Sequence, residues 1–126
     1  MKLAHVSAVS SSLENAERFY KVILGLTEVK SGILEKTLVE QLFDISCECR
    51  IVLYANEEIS IEVFIPDELP TRVPSFMHHC LEVDGKEQFL ARCRDAGLHV
   101  NLVPKGEKLL SFVTDFDGNL YEITGE

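Results

Sequence analysis

Residues 3 to 10 alternate apolar and polar side chains, and directly after them Leu13, Ala16, Phe19, Tyr20, Ile23 and Leu24 recur at helical spacing. This predicts a strand followed by a helix, with Ser11/Ser12 as its cap and Gly25 as its stop. The same order returns from Met77. His78 to Val83 alternates as a strand, Asp84 stands at the capping position, Phe89, Leu90, Cys93 and Ala96 share one face, and Gly97 ends the helix. Strand-like segments then follow each helix, at 26 to 30, 49 to 55 and 59 to 65 in the first half and at 100 to 103, 109 to 115 and 120 to 124 in the second. Each half reads as one strand, one helix and three further strands, so the pattern predicts an internally duplicated α+β chain. Turns are expected at residues 56 to 58, 105 to 107 and 117 to 119, the last as a hairpin, and a proline-rich stretch over 66 to 74 links the halves.

The halves differ in length. From His5 to Glu62 is 57 residues and from His78 to Glu122 is 44, so the first half carries 13 more. The extra residues are expected within 31 to 48, where Leu34, Leu38 and Leu42 repeat every four positions beside Val39 and Phe43, the pattern of a short amphipathic helix. Such a helix would either wall a site or pack on a sheet edge.

Strand alternation sorts residues by face. With Val6 and Ala8 turned to the helix, His5 and Ser7 occupy the opposite face; with Leu81 and Val83 turned to the helix, His78, Cys80 and Glu82 do the same, and His79 is packed. In 59 to 65 every second residue is Ile or Val, and Glu62 falls in the opposite register, an unusual place for a lone carboxylate. Glu122 holds the matching place in the second half. A single strand His is usually a core residue and a single strand Glu usually faces water. His and Glu supplied twice, from the first and last strands of two like halves, point instead to a metal site. Two imidazoles and two carboxylates neutralise a divalent cation and leave two octahedral positions for water or substrate. Such a donor set takes Zn, Ni, Co, Mn or Fe.

Composition narrows the partners. The chain has 126 residues, 46% of them hydrophobic, which suits one domain over 1–126 with module one at about 1–66 and module two at about 75–126. Twenty-one acidic against 12 basic residues give a net charge of -9, which argues against nucleic acid as a partner. Apolar runs of a few residues fall far short of the roughly 20 that span a bilayer, so no membrane partner and a cytoplasmic location are expected. Cys47, Cys49, Cys80 and Cys93 form no C-x-x-C pair and are expected as reduced thiols, the first two alternating on a strand.

The chain resembles the glyoxalase I, bleomycin resistance and dioxygenase superfamily over essentially its whole length. The resemblance is carried by His5-Val6, by Ser12 to Tyr20, by Ile23-Leu24-Gly25-Leu26, by Ile61 to Phe64, by His78 with Leu81 to Asp84, and by Phe112 to Glu122. The last block is similar to a D-P-D-G-N-x-x-E ending, with Phe116 in place of the proline. The resemblance implies two βαβββ modules forming a U-shaped mixed sheet around a metal-binding cleft, commonly as a homodimer. It implies His5, Glu62, His78 and Glu122 as metal ligands, and Glu122 as the catalytic base with Glu62 as its symmetric partner. The implied activity is that of a lyase or isomerase moving a proton through a metal-bound enediolate on a small vicinal-oxygen substrate. Where glyoxalase I enzymes hold glutathione with an Arg and an Asn, this chain has Val9 and Pro66, so a glutathione adduct is not the expected substrate. Alternatives within the superfamily are a drug-sequestering protein without turnover, an epimerase acting on methylmalonyl-CoA with Glu48 as a catalytic carboxylate, a dioxygenase using two His and one carboxylate, and a thiol-transferring resistance enzyme.

Overall fold

The computed structural model describes residues 1–69, 71 and 73–126. Positions 70 and 72, inside the expected 66 to 74 link, lie outside the described residues. The chain divides into two compact units, Met1–Arg72 and Val73–Glu126.

In the first unit β1 (Val6–Val9) leads into helix α1 (Leu13–Ala16), which continues as a π-helical segment, Glu17–Ile23, and is followed by β2 (Thr27–Leu34), α2 (Lys36–Phe43), β3 (Cys49–Ala55) and β4 (Ser60–Pro66). In the second, β5 (His79–Glu82), α3 (Lys86–Asp95), β6 (His99–Lys105), β7 (Lys108–Thr114) and β8 (Leu120–Thr124) follow the same order without a counterpart of α2. The sheets run β1-β4-β3-β2 and β5-β8-β7-β6, each with one parallel pair, β1 with β4 and β5 with β8. The fold is therefore α+β with two mixed four-stranded sheets, and the duplication extends from element order to strand topology.

The buried positions show why these residues form these elements. Ala8, Val52, Tyr54, Ile61 and Val63 turn one face of the first sheet inward, and Ala16, Phe19, Tyr20 and Ile23 are buried on the helical segment. Tyr20 stacks on Tyr54 with ring centroids 5.3 Å apart. Val113, Tyr121 and Ile123 do the same for the second sheet, with Phe89, Leu90 and Cys93 buried on α3. At 25 cal/mol per Å2 of apolar surface, each such ring or branched side chain contributes roughly 1.5–3 kcal/mol.

Several expectations are corrected in detail. The first helix is capped by Ser12, whose side chain accepts from the Asn15 N–H, while Ser11 Oγ accepts from Asn15 Nδ2. Its second half is π-helical because the Leu24 N–H reaches back five residues to the Phe19 carbonyl, which a 3.6-residue pattern does not foretell. Asp84 is not a cap: the N-cap of α3 is Gly85 at φ 64, a left-handed conformation that glycine adopts without a Cβ penalty. The apolar stripe of α2 is narrower than the Leu repeat suggested, since Val39 is buried whereas Leu38 and Leu42 are exposed. Cys47 lies before β3 rather than on it, although it and Cys49 are both buried. β2 and β6 extend beyond the expected segments, as edge strands paired on one side only.

Candidate metal centre

Parallel pairing sets the geometry of each His and Glu. Ser7 pairs with Glu62 in β1/β4, and Cys80 pairs with Glu122 in β5/β8. His5 and His78 each stand two residues before that partner, one position ahead of their strands, so both fall on the Glu side of the sheet. Burial follows the same alternation: Ile61 and Val63 flank Glu62 and are buried, as Tyr121 and Ile123 are around Glu122, while both carboxylates are half-buried on the opposite face.

His5 Nε2 stands 3.7 Å from Glu62 Oε1, and His78 Nε2 stands 3.5 Å from Glu122 Oε2. These separations are at or beyond the limit of a good N–H···O bond. Two donors each about 2.0–2.2 Å from one ion are held about 3.0–3.5 Å apart at octahedral or tetrahedral angles, a spacing that the His78–Glu122 pair meets and the His5–Glu62 pair slightly exceeds. His78 carries a further support: Nδ1 donates to the Phe76 carbonyl at 2.8 Å. That bond puts the ring proton on Nδ1 and leaves the Nε2 lone pair facing Glu122, the arrangement found in metal-ligating histidines. The His78 ring also meets the edge of Phe112 at 5.5 Å, and Phe112 is the β7 neighbour of Glu122.

All four expected ligand residues thus stand as two His–Glu pairs, one in each unit. Among the described residues no group of three or more His, Cys, Asp or Glu side chains stands together as a metal cluster. Within each pair, one imidazole nitrogen and one carboxylate oxygen are donors that fit a divalent transition metal. His79 is on the packed face, with its ring 5.9 Å from Tyr121. Glu48, the alternative catalytic carboxylate, is exposed and precedes β3, and its backbone carbonyl accepts from the Asp67 N–H.

One residue matters more than its place in the motif suggested. Asp115 is buried and accepts from the N–H groups of Asp117 and Asn119 and from Asn119 Nδ2 at 2.9, 2.8 and 2.7 Å. It organises the turn that delivers β8, and hence Glu122, to the sheet. Burial pushes its carboxyl up from the ordinary value, against the pull of those hydrogen bonds. The signal in the sequence was the Asp115, Asp117, Gly118, Asn119 run, whose first Asp is an Asx-type acceptor.

Comparison with known proteins agrees with the fold. No curated protein sequence matches the chain. Among solved structures, a glyoxalase family protein from Enterococcus faecalis is 21% identical with a TM-score of 0.74, over 97% of this chain and 95% of that one. A glyoxalase family protein from Bacillus cereus is 19% identical with a TM-score of 0.76, over 100% and 96%. A variant of the fosfomycin resistance protein FosX from Listeria monocytogenes, complexed with Mn(II) and 1S,2S-dihydroxypropylphosphonic acid, is 18% identical with a TM-score of 0.70, over 97% and 90%. Likeness at these identities establishes the fold. A family model matches residues 2–123, and the chain belongs to the Glyoxalase/Bleomycin resistance protein/Dioxygenase superfamily.

Proposed function

We propose that the chain is a divalent-metal-dependent enzyme of lyase or isomerase type, acting on a small substrate with two neighbouring oxygens, with His5, Glu62, His78 and Glu122 as the ligands of one ion. The observation that carries this reading is the repetition of a His–Glu pair at the same register in both sheets. The Mn(II) held by the similar FosX variant makes Mn(II) the first metal to load. When bound, the metal would polarise the substrate oxygens and render the neighbouring C–H more acidic.

The chain's own part is to hold and move that proton. Glu122 is the base: its carboxylate is partly exposed on the open face, 3.5 Å from His78 Nε2. Glu62 occupies the equivalent register in unit 1 and would serve as a second proton carrier. His78 is held beside Glu122 through its Nδ1 bond to the Phe76 carbonyl. We place the protein in the cytoplasm as a homodimer; no helix among the described residues is long and apolar enough to cross a membrane.

The test is solvent proton exchange. Mn(II)-loaded protein in D2O is expected to place deuterium at the hydroxyl-bearing carbon next to the carbonyl of 2-oxoaldehyde adducts, followed by NMR, and Glu122→Gln should slow exchange by about 10²–10⁴-fold. Exchange at the wild-type rate in Glu122→Gln would remove Glu122 from the role. Absence of exchange with any loaded metal and any vicinal-oxygen substrate would leave a binding protein.

A further inference from the structure

The two sheets carry their His–Glu pairs in different surroundings. In unit 1, the row of paired residues through Glu62 is Ser7, Glu62, Leu53 and Lys30, and the next row on the same face is Val9, Phe64, Ile51 and Gly32. Two residues along a strand span about 6.6 Å, so this apolar row adjoins the Glu62 carboxylate. Helix α2 stands over it: Phe43 meets Phe64 edge-to-face at 5.3 Å, and Val39 is buried in a cluster with Cys47 and Cys49 against which Leu34, Ile51 and Phe64 pack. Phe43 keeps 48% of its surface exposed although it is engaged with Phe64. In unit 2, the row through Glu122 is Cys80, Glu122, Phe112 and Asn101, and the next positions along β5 and β8 are Glu82 and Thr124. Both are polar and Glu82 is exposed, the row continues with the apolar Leu110 and Val103 on β7 and β6, and no helix corresponds to α2.

The geometry points to α2 as a specificity wall: Phe43 and Phe64, beside Glu62, receive an apolar substituent of the substrate, while the vicinal oxygens go to the His–Glu pairs. This rests on the metal-site reading above. Half of the Phe43 surface is open, and it lies in an apolar strip that continues along the face bearing a proposed metal ligand. The open surface is large enough to gain from covering an aromatic or branched group. The substrate class is therefore a vicinal-oxygen compound with an aromatic or branched aliphatic end.

Hydroxamates test this directly, because each presents two neighbouring oxygens and differs only in its tail. Metal content is measured first on Mn(II)-loaded wild type, Phe43→Ala and Phe43→Leu, and then acetohydroxamate and benzohydroxamate are titrated into each. Wild type is expected to bind benzohydroxamate at least about tenfold more tightly than acetohydroxamate. In Phe43→Ala that preference should fall about tenfold, with acetohydroxamate affinity and metal content unchanged, and Phe43→Leu should restore most of it. Equal affinity for the two probes in wild type, or equal loss of both in Phe43→Ala, overturns the wall while leaving the metal site standing. Failure of wild type to take up metal overturns the functional reading itself, and the wall with it.

Discussion

Individual side chains in this protein take their properties from burial. Burial raises the Cys93 thiol from the ordinary 9.0 to about 11, with Arg92 and Arg94 pulling weakly the other way. Tyr54 rises from 10.0 to about 12, first through burial and then through the charges of Glu17 and Glu28. Both groups lose their protons more readily unfolded than folded, so the stability they contribute is complete below pH 9 and falls as pH rises toward 11 and 12. Denaturant midpoints should therefore drop from pH 9 upward, and Tyr54→Phe should flatten the part of that drop above pH 10; an unchanged slope would refute the assignment. Cys47, Cys49 and Cys93 are buried and Cys80 is exposed, so of four thiols one should react rapidly with a disulfide reagent in the native protein and all four after denaturation. Asp115 has three N–H partners at the β7–β8 turn, and Asp115→Ala, read as a loss of unfolding free energy, should cost about 1–3 kcal/mol.

Elements were legible where local chemistry acts alone. Strand alternation assigned His5, Glu62, His78 and Glu122 to one side because the period of two is a property of extended backbone, and β3 and β8 begin and end where the pattern put them. The π-helical second half of the first helix was not legible, because Phe19, Tyr20 and Ile23 bury equally well in either winding. The Gly85 cap of α3 was missed for a similar reason: Asp84 is the better capping side chain, but the left-handed turn falls on the glycine. For α2, the pattern named Leu34, Leu38 and Leu42 beside Val39 and Phe43, but Leu34 ends β2, and on the helix the packing against Phe64 and Cys49 uses Val39 and Phe43 while Leu38 and Leu42 stay exposed. Gly125 attracted no notice in the sequence, yet it sits at φ 108 where a Cβ would collide with the Val83 carbonyl oxygen, just beyond the Val83 N–H bond to Thr124 that closes the β5–β8 pair. Gly125→Ala should lower the melting temperature by several degrees, since strain of about 1–3 kcal/mol shifts a domain of this size by that much. An unaltered melting temperature would show that the chain end can move away from Val83 without cost.

At the scale of the whole molecule, duplication is what makes four ordinary residues a candidate donor set. One strand histidine or one strand glutamate carries little information, whereas two His–Glu pairs at equal register, 3.7 and 3.5 Å apart, in two sheets of identical topology form a repeated donor set. The second unit lacks the helix that the first places beside its glutamate, so the two His–Glu pairs are alike in their donors and unlike in their surroundings. The central claim is that the two pairs serve one ion. Elemental analysis of protein prepared without chelator and loaded with Mn(II), for wild type, Glu62→Ala and His78→Ala, tests it most directly. The account predicts about one metal per chain in the wild type and loss of that metal in both variants, although each alters a different unit. Two metals per chain, with each variant losing only one, or no metal under any loading condition, would contradict it.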